Sequence, residues 1–256
     1  MIVSSGSKKP NIHASAYVAP TATVSGDVTI EEGCAVLFGA VISSEGAPVT
    51  IGANSVVMEN AVIKSSGGKA IQFPCSIGES CIVGPGASVV GATIEPGVFI
   101  ASGARVFNGA TVEEGVSVAI GAIVHVNAHV MKGQHVAMMH IAHGDPATIY
   151  PGLQAAAVHS RMNFFQDVFN LPDTEDVRAK AAESYSKFLR KTHAQDAAVA
   201  EAPKKAAPKA PPRRTEEPPP TQATEVEKVV DVMFVELEEA RLRREAAIER
   251  EKKTKR

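Results

Sequence analysis

The sequence contains no tryptophan and three cysteines, and aromatic residues make up 5% of its 256 residues. So few cysteines do not build the disulfide framework of a small secreted domain. We find no apolar run close to the roughly 18 residues that cross a bilayer, so no membrane span is expected. The formal net charge of −2 gives no bulk attraction to nucleic acid, and no such partner is expected.

The first residues carry no secretory signal pattern. We therefore expect a cytoplasmic protein. Lys8, Lys9 and several serines near the start leave organellar targeting open.

The prominent positive feature is an isoleucine or valine at every sixth position over more than half of the chain. A small residue often follows four positions later, as Cys34 follows Ile30 and Cys81 follows Ile77. The period matches neither an α-helix, at about 3.6 residues, nor a strand, at about 2. It fits coils with three flat sides, each placing one large and one small residue inward. The large positions are Ile12, Val18, Val24, Ile30, Val36, Ile42, Ile51, Val57, Ile63, Ile77, Val83, Val89, Ile94, Ile100, Val106, Val112, Val118, Val124, Val130 and Val136.

Three such sides make one coil, so residues 1–150 are predicted to form about seven coils of a parallel β-helix in an all-β fold. Irregular steps after Ile42, Ile63 and Val89 indicate loops or slips of register. Cys34 and Cys81 occupy small inward positions, so we interpret them as buried packing residues.

Residues 151–193 are predicted to form an α-helical cap over the open strand edges at the end of the stack. Its helix should run through Tyr185, Phe188 and Leu189. Residues 194–224, rich in proline, alanine, lysine and glutamate, are predicted to be a disordered linker.

Residues 225–256 are predicted to form an amphipathic helix, with a coiled coil as one form it can take, that binds a protein partner. Its apolar residues recur at steps of four and three, a spacing typical of coiled coils. They are Val226, Val230, Met233 and Leu237.

Two stretches carry a family likeness beyond the repeat. Residues 18–52, VAPTATVSGDVTIEEGCAVLFGAVISSEGAPVTIG, and residues 77–147, including IGESCIVGPGASVVGATI and HGDPA, resemble γ-class carbonic anhydrase-like hexapeptide proteins. The resemblance implies a left-handed β-helix and a homotrimer. It also implies a zinc ion held by three histidines shared between subunits, which ionises water for attack on carbon dioxide.

The zinc positions implied by the resemblance carry Lys64, Pro85 and Val90 in this chain. Lysine arrives protonated, and proline and valine side chains offer no donor atom. Neighbouring site positions are also altered, except that Glu59 keeps an acidic character. They are Ser43, Glu45 and Met58. We therefore expect no zinc or other cofactor, and the leading hypothesis is a non-catalytic trimeric scaffold that displays its C-terminal helices.

Two enzymatic alternatives remain open from the sequence. His125 and His143 are eighteen residues apart, so they should stack one rung apart, about 4.8 Å. This pair is the candidate for a displaced metal site, since imidazole binds zinc, copper or nickel. An acyltransferase would need a histidine base, for which His129 or His135 is the candidate.

Overall fold

The computed structural model describes residues 1–67, 71–154, 166, 171–172 and 174–198. Besides the strands there are a short 3-10 helix, Gly152–Gln154, and the helix α1, Val177–Thr192. The strands are β1 (Ile2–Ser5), β2 (Asn11–Ile12), β3 (Tyr17–Val18), β4 (Thr23–Ser25), β5 (Val28–Ile30), β6 (Ala35–Val36), β7 (Val41–Ser43), β8 (Val49–Ile51), β9 (Val56–Val57), β10 (Val62–Lys64), β11 (Ser66–Gly67), β12 (Gln72–Phe73), β13 (Cys75–Ile77), β14 (Ile82–Val83), β15 (Ser88–Val90), β16 (Thr93–Ile94), β17 (Phe99–Ile100), β18 (Arg105–Val106), β19 (Thr111–Val112), β20 (Ser117–Val118), β21 (Ile123–Val124), β22 (His129–Val130), β23 (His135–Val136), β24 (His140–His143), β25 (Thr148–Pro151) and β26 (Asp196–Ala198).

The strands form three walls of a prism. Wall A has the order β25-β24-β21-β18-β15-β10-β7-β4-β1-β26, wall B the order β2-β5-β8-β13-β16-β19-β22, and wall C the order β23-β20-β17-β14-β9-β6-β3. Each coil contributes one strand to walls B, C and A in turn, and the coils pair in parallel. At the two ends of wall A, β25 and β26 add antiparallel neighbours. The predicted parallel β-helix of about seven coils is confirmed, with β1 adding the last side of a further turn before the first coil.

The interior is built by the residues that the six-residue period selects. The inward isoleucines of wall B, such as Ile30, Ile51 and Ile77, are fully buried and packed in one continuous core. Burying each such side chain stabilises the fold by about 1.5–3 kcal/mol. Cys34 and Cys81 are buried in that core, as predicted.

The edge between walls A and B carries the inserted loops. After Ile63, β11 and β12 pair as an antiparallel hairpin. Phe73 of this hairpin packs closely against Gly91, whose φ is +55°. A side chain at position 91 would clash, because its Cβ would lie 2.5 Å from the Cβ of Phe73. Position 91 therefore requires glycine for two reasons, the left-handed backbone and the close approach of Phe73.

Helix α1 confirms the predicted C-terminal helix, but its described contacts lie away from the end of the stack, where the cap was expected. Its contacts are with the first coils: the Tyr185 hydroxyl donates to Glu45 Oε2 at 2.8 Å, and the Ser5 hydroxyl donates to the Thr192 carbonyl at 3.1 Å. Directly afterwards, β26 pairs with β1. At the other end of the stack, β25 covers β24 in wall A.

Several predictions fall partly or wholly outside the described residues. The predicted partner-binding positions Val226, Val230, Met233 and Leu237 lie there, as does residue 199 onward of the predicted linker. The domain boundaries therefore stay predictions. Among the described residues, no helix is both long and apolar enough to cross a membrane.

Candidate functional site

The positions implied by the family resemblance fall in two places. On wall A, the register of β7, β10 and β15 places Ser43, Lys64 and Val90 on successive rungs. Pro85 instead lies in the turn between β14 and β15, at the edge between walls C and A. There the Gly86 backbone N–H donates to the Glu59 carbonyl of the preceding coil.

Met58, Glu59 and Pro85 therefore lie at the edge between walls C and A, whereas Lys64 and Val90 lie together on wall A. A single chain does not bring all three ligand positions to one point of its surface.

Lys64 is fixed by an ion pair that the family pattern did not predict. Its Nζ is 2.7 Å from Glu45 Oε1, and the two side chains are 23% and 10% exposed. The Tyr185 hydroxyl of α1 donates a hydrogen bond to the other carboxylate oxygen of Glu45, and the Glu45 backbone N–H donates to Ser65 Oγ at 2.8 Å. We call Lys64, Glu45 and Tyr185 the Lys–Glu–Tyr cluster.

At neutral pH the cluster holds a charged Lys64 and a neutral Tyr185. Burial by itself lowers the pKa of Lys64, but the hydrogen bond and the negative charge of Glu45 outweigh it, so the net pKa shift is upward. Burial raises the pKa of the Tyr185 phenol, and Glu45 raises it further. Lys64 therefore carries an ammonium and Tyr185 a neutral hydroxyl, and neither is a nucleophile or a base.

The donor set at the ligand positions does not fit zinc. Zinc is bound by neutral imidazole, thiolate or carboxylate groups. The Lys64 ammonium has no lone pair, and the side chains of Pro85 and Val90 have no donor atom.

The sequence did not single out Tyr185 as a site residue. Its helix was predictable from local composition. Its contact with Glu45 joins residues 140 positions apart, and no local pattern signals such a pairing.

His125 and His143 lie on neighbouring rungs of wall A, and their rings meet edge-on. Their ring centroids are 5.8 Å apart at 66°, and Phe107 stacks on His125 at 5.9 Å. The Val126 backbone N–H donates to His125 Nδ1 at 2.6 Å. This contact leaves the ring proton on Nε2, so in this tautomer His125 offers no lone pair to a metal. Within the described part of the chain, no three His, Cys, Asp or Glu side chains converge as a metal site.

His129 lies between two carboxylates. Its Nε2 is 2.8 Å from Glu113 Oε1 and its Nδ1 is 3.0 Å from Asp145 Oδ1. Both ring nitrogens donate only in the protonated imidazolium, which cannot accept a proton from a substrate hydroxyl. His135, the other candidate base, is exposed on wall C, where its register neighbour is Ser117.

The edges of the prism differ in chemistry. At the edge between walls C and A, Phe38, Ile120 and Met138 are 52%, 52% and 58% exposed, and we call this the apolar edge. Next to the apolar edge, the outward residues of successive strands in wall C form a second, mostly apolar column, in which each residue is paired with the next by strand register. The column is Tyr17, Ala35, Val56, Ile82 and Phe99.

Wall B and the edge between walls B and C are hydrophilic. The outward column of wall B is Thr29, Thr50, Ser76, Thr93 and Thr111. The turns that lead from wall B to wall C form what we call the acidic edge. It comprises Glu31, Glu32, Glu79, Glu95, Glu113 and Glu114.

Comparison with curated proteins finds sequence likeness to γ-class carbonic anhydrases. Over 101 residues the chain is 31% identical to the mitochondrial γ carbonic anhydrase 3 of Arabidopsis thaliana, a match that covers 38% of each chain. The mitochondrial γ carbonic anhydrase 1 of the same plant is 32% identical over 105 residues, covering 40% of this chain and 38% of that relative. The chain thus spans about two fifths of the length of the curated relatives it matches. The likeness predicted from the two stretches of sequence is confirmed over about two fifths of the chain.

No protein-family model matches the chain. Among solved structures, a hexapeptide transferase family protein from Anaplasma phagocytophilum covers 76% of this chain and 98% of its own, with 15% identity and a TM-score of 0.40. A structural likeness with that TM-score supports no inference about the chemistry of this chain.

Proposed function

We propose that this protein is a non-catalytic, γ-carbonic-anhydrase-like trimeric scaffold. The Lys–Glu–Tyr cluster is the observation that carries this proposal. At the place of the first zinc ligand, a lysine is neutralised by a buried carboxylate and covered by a helix. An ion pair that satisfies its own charges needs no metal.

The surface of the prism supports the trimer. A closed ring of three copies brings the same edge of each chain toward one axis. The acidic edge would repel its own copies there, and the edge between walls A and B is covered by α1 and by the hairpin. The apolar edge exposes three large side chains that association would remove from water. It also carries Pro85, so a second copy can place Pro85 beside Lys64 and Val90.

The trimer is tested by introducing charge on different faces. We expect Phe38→Glu and Ile120→Glu to yield monomers, because a carboxylate would be buried without a partner at the apolar edge. Thr50→Glu and Thr93→Glu on wall B are the matched controls and should leave the molar mass unchanged. Light scattering after size-exclusion chromatography gives the mass. A monomeric wild type, or dissociation caused equally by both pairs, would contradict the proposed interface.

The scaffold role depends on residues 225–256, for which a partner-binding helix is predicted from the sequence. Three such helices on one trimer would bind a multivalent partner with avidity, through their effective concentration. Truncation after Ala202 is the test, because residues 1–202 form one compact unit that retains β26. If the truncated protein still binds every partner that the full chain binds, docking through the last helix is wrong.

An enzyme of the hexapeptide class is the second candidate. It is favoured by the sequence likeness to γ-class carbonic anhydrases, whose named activity is carbon dioxide hydration. In this chain a metal would have to bind away from Lys64, Pro85 and Val90. Stoichiometric zinc with carbon dioxide hydration would favour this candidate over the scaffold, and acetyl transfer that depends on His129 or His135 would favour an acyltransferase.

A further inference from the structure

His129 helps to join the last coil of the β-helix to the chain that leaves it, beside the pairing of β25 with β24 and the bond from Gln134 Nε2 to the Ala147 carbonyl at 3.1 Å. His129 opens β22, the last strand of wall B. Its backbone N–H donates to the Gly144 carbonyl at 3.0 Å, and its carbonyl accepts the Ala147 N–H at 2.8 Å. Residues 144–147, the exit turn, therefore lie beside β22 in the place that a further rung of wall B would take.

The imidazole of His129 reinforces this arrangement on both sides. Nε2 reaches Glu113 of the preceding coil, and Nδ1 reaches Asp145 of the exit turn. The second oxygen of Glu113 accepts the Lys132 backbone N–H at 2.6 Å, which fixes the turn after β22. The ring thus connects the preceding coil, the last coil and the exit turn.

The bridge needs the positive charge of the ring. A neutral imidazole carries one N–H, so it can donate to Glu113 or to Asp145 but not to both. The carboxylate left without a donor would face a nitrogen lone pair in a neighbourhood that is already acidic. Near the bridge, Lys132 pairs with Glu114 at 2.6 Å, and Glu95 accepts the Glu114 backbone N–H at 3.0 Å.

We propose that His129 is a proton-dependent clamp, which holds the exit turn on the last coil while the imidazole is protonated and releases it when the proton is lost. The device belongs to the fold and does not depend on the scaffold function.

The direction of the pH dependence follows from the contacts. The hydrogen bonds to Glu113 and then to Asp145 raise the pKa of His129 above 6.5. A group whose pKa is raised on folding stabilises the folded state fully below its unfolded pKa, and this contribution is lost as pH rises through the folded pKa. The pKa of Glu113 is lowered, first by the Lys132 N–H and then by His129, so its carboxylate stays ionised across this window. The clamp therefore opens on the alkaline side of about pH 6.5.

Hydrogen exchange of the full chain, read by mass spectrometry at about pH 6 and about pH 9 and corrected for intrinsic exchange, tests the clamp. In the wild type we expect amides of residues 129–147 to lose protection several-fold at the higher pH. Asp145→Asn, an exposed change that should not prevent folding, should reduce protection already at the lower pH and remove most of the pH dependence. Glu114→Gln is the matched control, since Glu114 does not contact the ring, and it should behave as the wild type does.

Titration of the histidine ring protons by NMR supplies a direct readout. The midpoint of His129 should lie above 6.5 in the wild type and should fall in Asp145→Asn. Equal protection of residues 129–147 at the two pH values would overturn the proposal. So would a Glu114→Gln variant that loses the pH dependence as fully as Asp145→Asn does.

Discussion

Lys64 and Glu45 form a largely buried ion pair, with Nζ and Oε1 2.7 Å apart, at the position where the family resemblance implies the first zinc ligand. The pair joins neighbouring rungs of the β-helix and is completed by Tyr185 of α1. The polar site is therefore satisfied from within the chain, which has consequences for stability.

Replacing Lys64 with methionine should lower the free energy of unfolding by about 1–3 kcal/mol, because the Glu45 carboxylate would keep its burial and lose a charged donor. Urea denaturation of the wild type, Lys64→Met, Glu45→Gln and the double variant forms a double-mutant cycle. We expect the double variant to be less destabilised than the sum of the single ones. Strict additivity would show that the pair contributes no coupling.

Removing the hydroxyl of Tyr185 tests the contact between α1 and the coils. Tyr185→Phe should cost about 1 kcal/mol, the usual net value of one hydrogen bond. It should also raise hydrogen exchange in residues 177–192, because the helix loses a bond to Glu45. A variant with unchanged helix protection would show that α1 is held by other contacts.

Gly91 should tolerate alanine much less well than Gly103. Both have positive φ, +55° and +65°, so the backbone strain is similar. A Cβ at Gly91 would meet the Cβ of Phe73 at 2.5 Å, whereas at Gly103 no atom lies within 4 Å. Thermal denaturation should place Gly91→Ala about 1–3 kcal/mol below Gly103→Ala, the usual cost of overpacking. Equal losses of stability in the two variants would mean that Phe73 and its hairpin can move away from position 91 without cost.

The cysteines should be unreactive in the folded protein. Burial raises the pKa of all three thiols, that of Cys75 to about 11. Since the thiolate is the nucleophile, alkylation at about pH 8 should be slow in the native state and complete in denaturant. Mass spectrometry after a timed reaction measures both. Rapid modification of Cys75 in native protein would contradict its burial.

The six-residue repeat was sufficient to predict the fold from the sequence. A large residue at every sixth position locates each inward side chain, and even the burial of Cys34 and Cys81 follows from counting. The same counting places Lys64 and Val90 on neighbouring rungs, because strand register in a β-helix is fixed by coil length. The pairing of His125 with His143 follows in the same way.

What could not be predicted involves contacts between distant parts of the chain. The attachment of Tyr185 to Glu45 depends on how α1 returns along the stack, and the six-residue pattern carries no information about that path. His129 was considered as a base because of its residue type alone. Its two carboxylate partners come from the preceding coil and from the exit turn, and their approach depends on how that turn folds back after the period has faded.

We propose that this chain does not carry the zinc chemistry of γ-class carbonic anhydrases. The most direct test measures zinc by elemental analysis and carbon dioxide hydration by stopped flow, on purified full-length protein incubated with zinc. A γ-class carbonic anhydrase treated identically serves as the positive control. We expect less than stoichiometric zinc and no hydration above the uncatalysed rate. One zinc per chain, with hydration that a chelator abolishes, would contradict it.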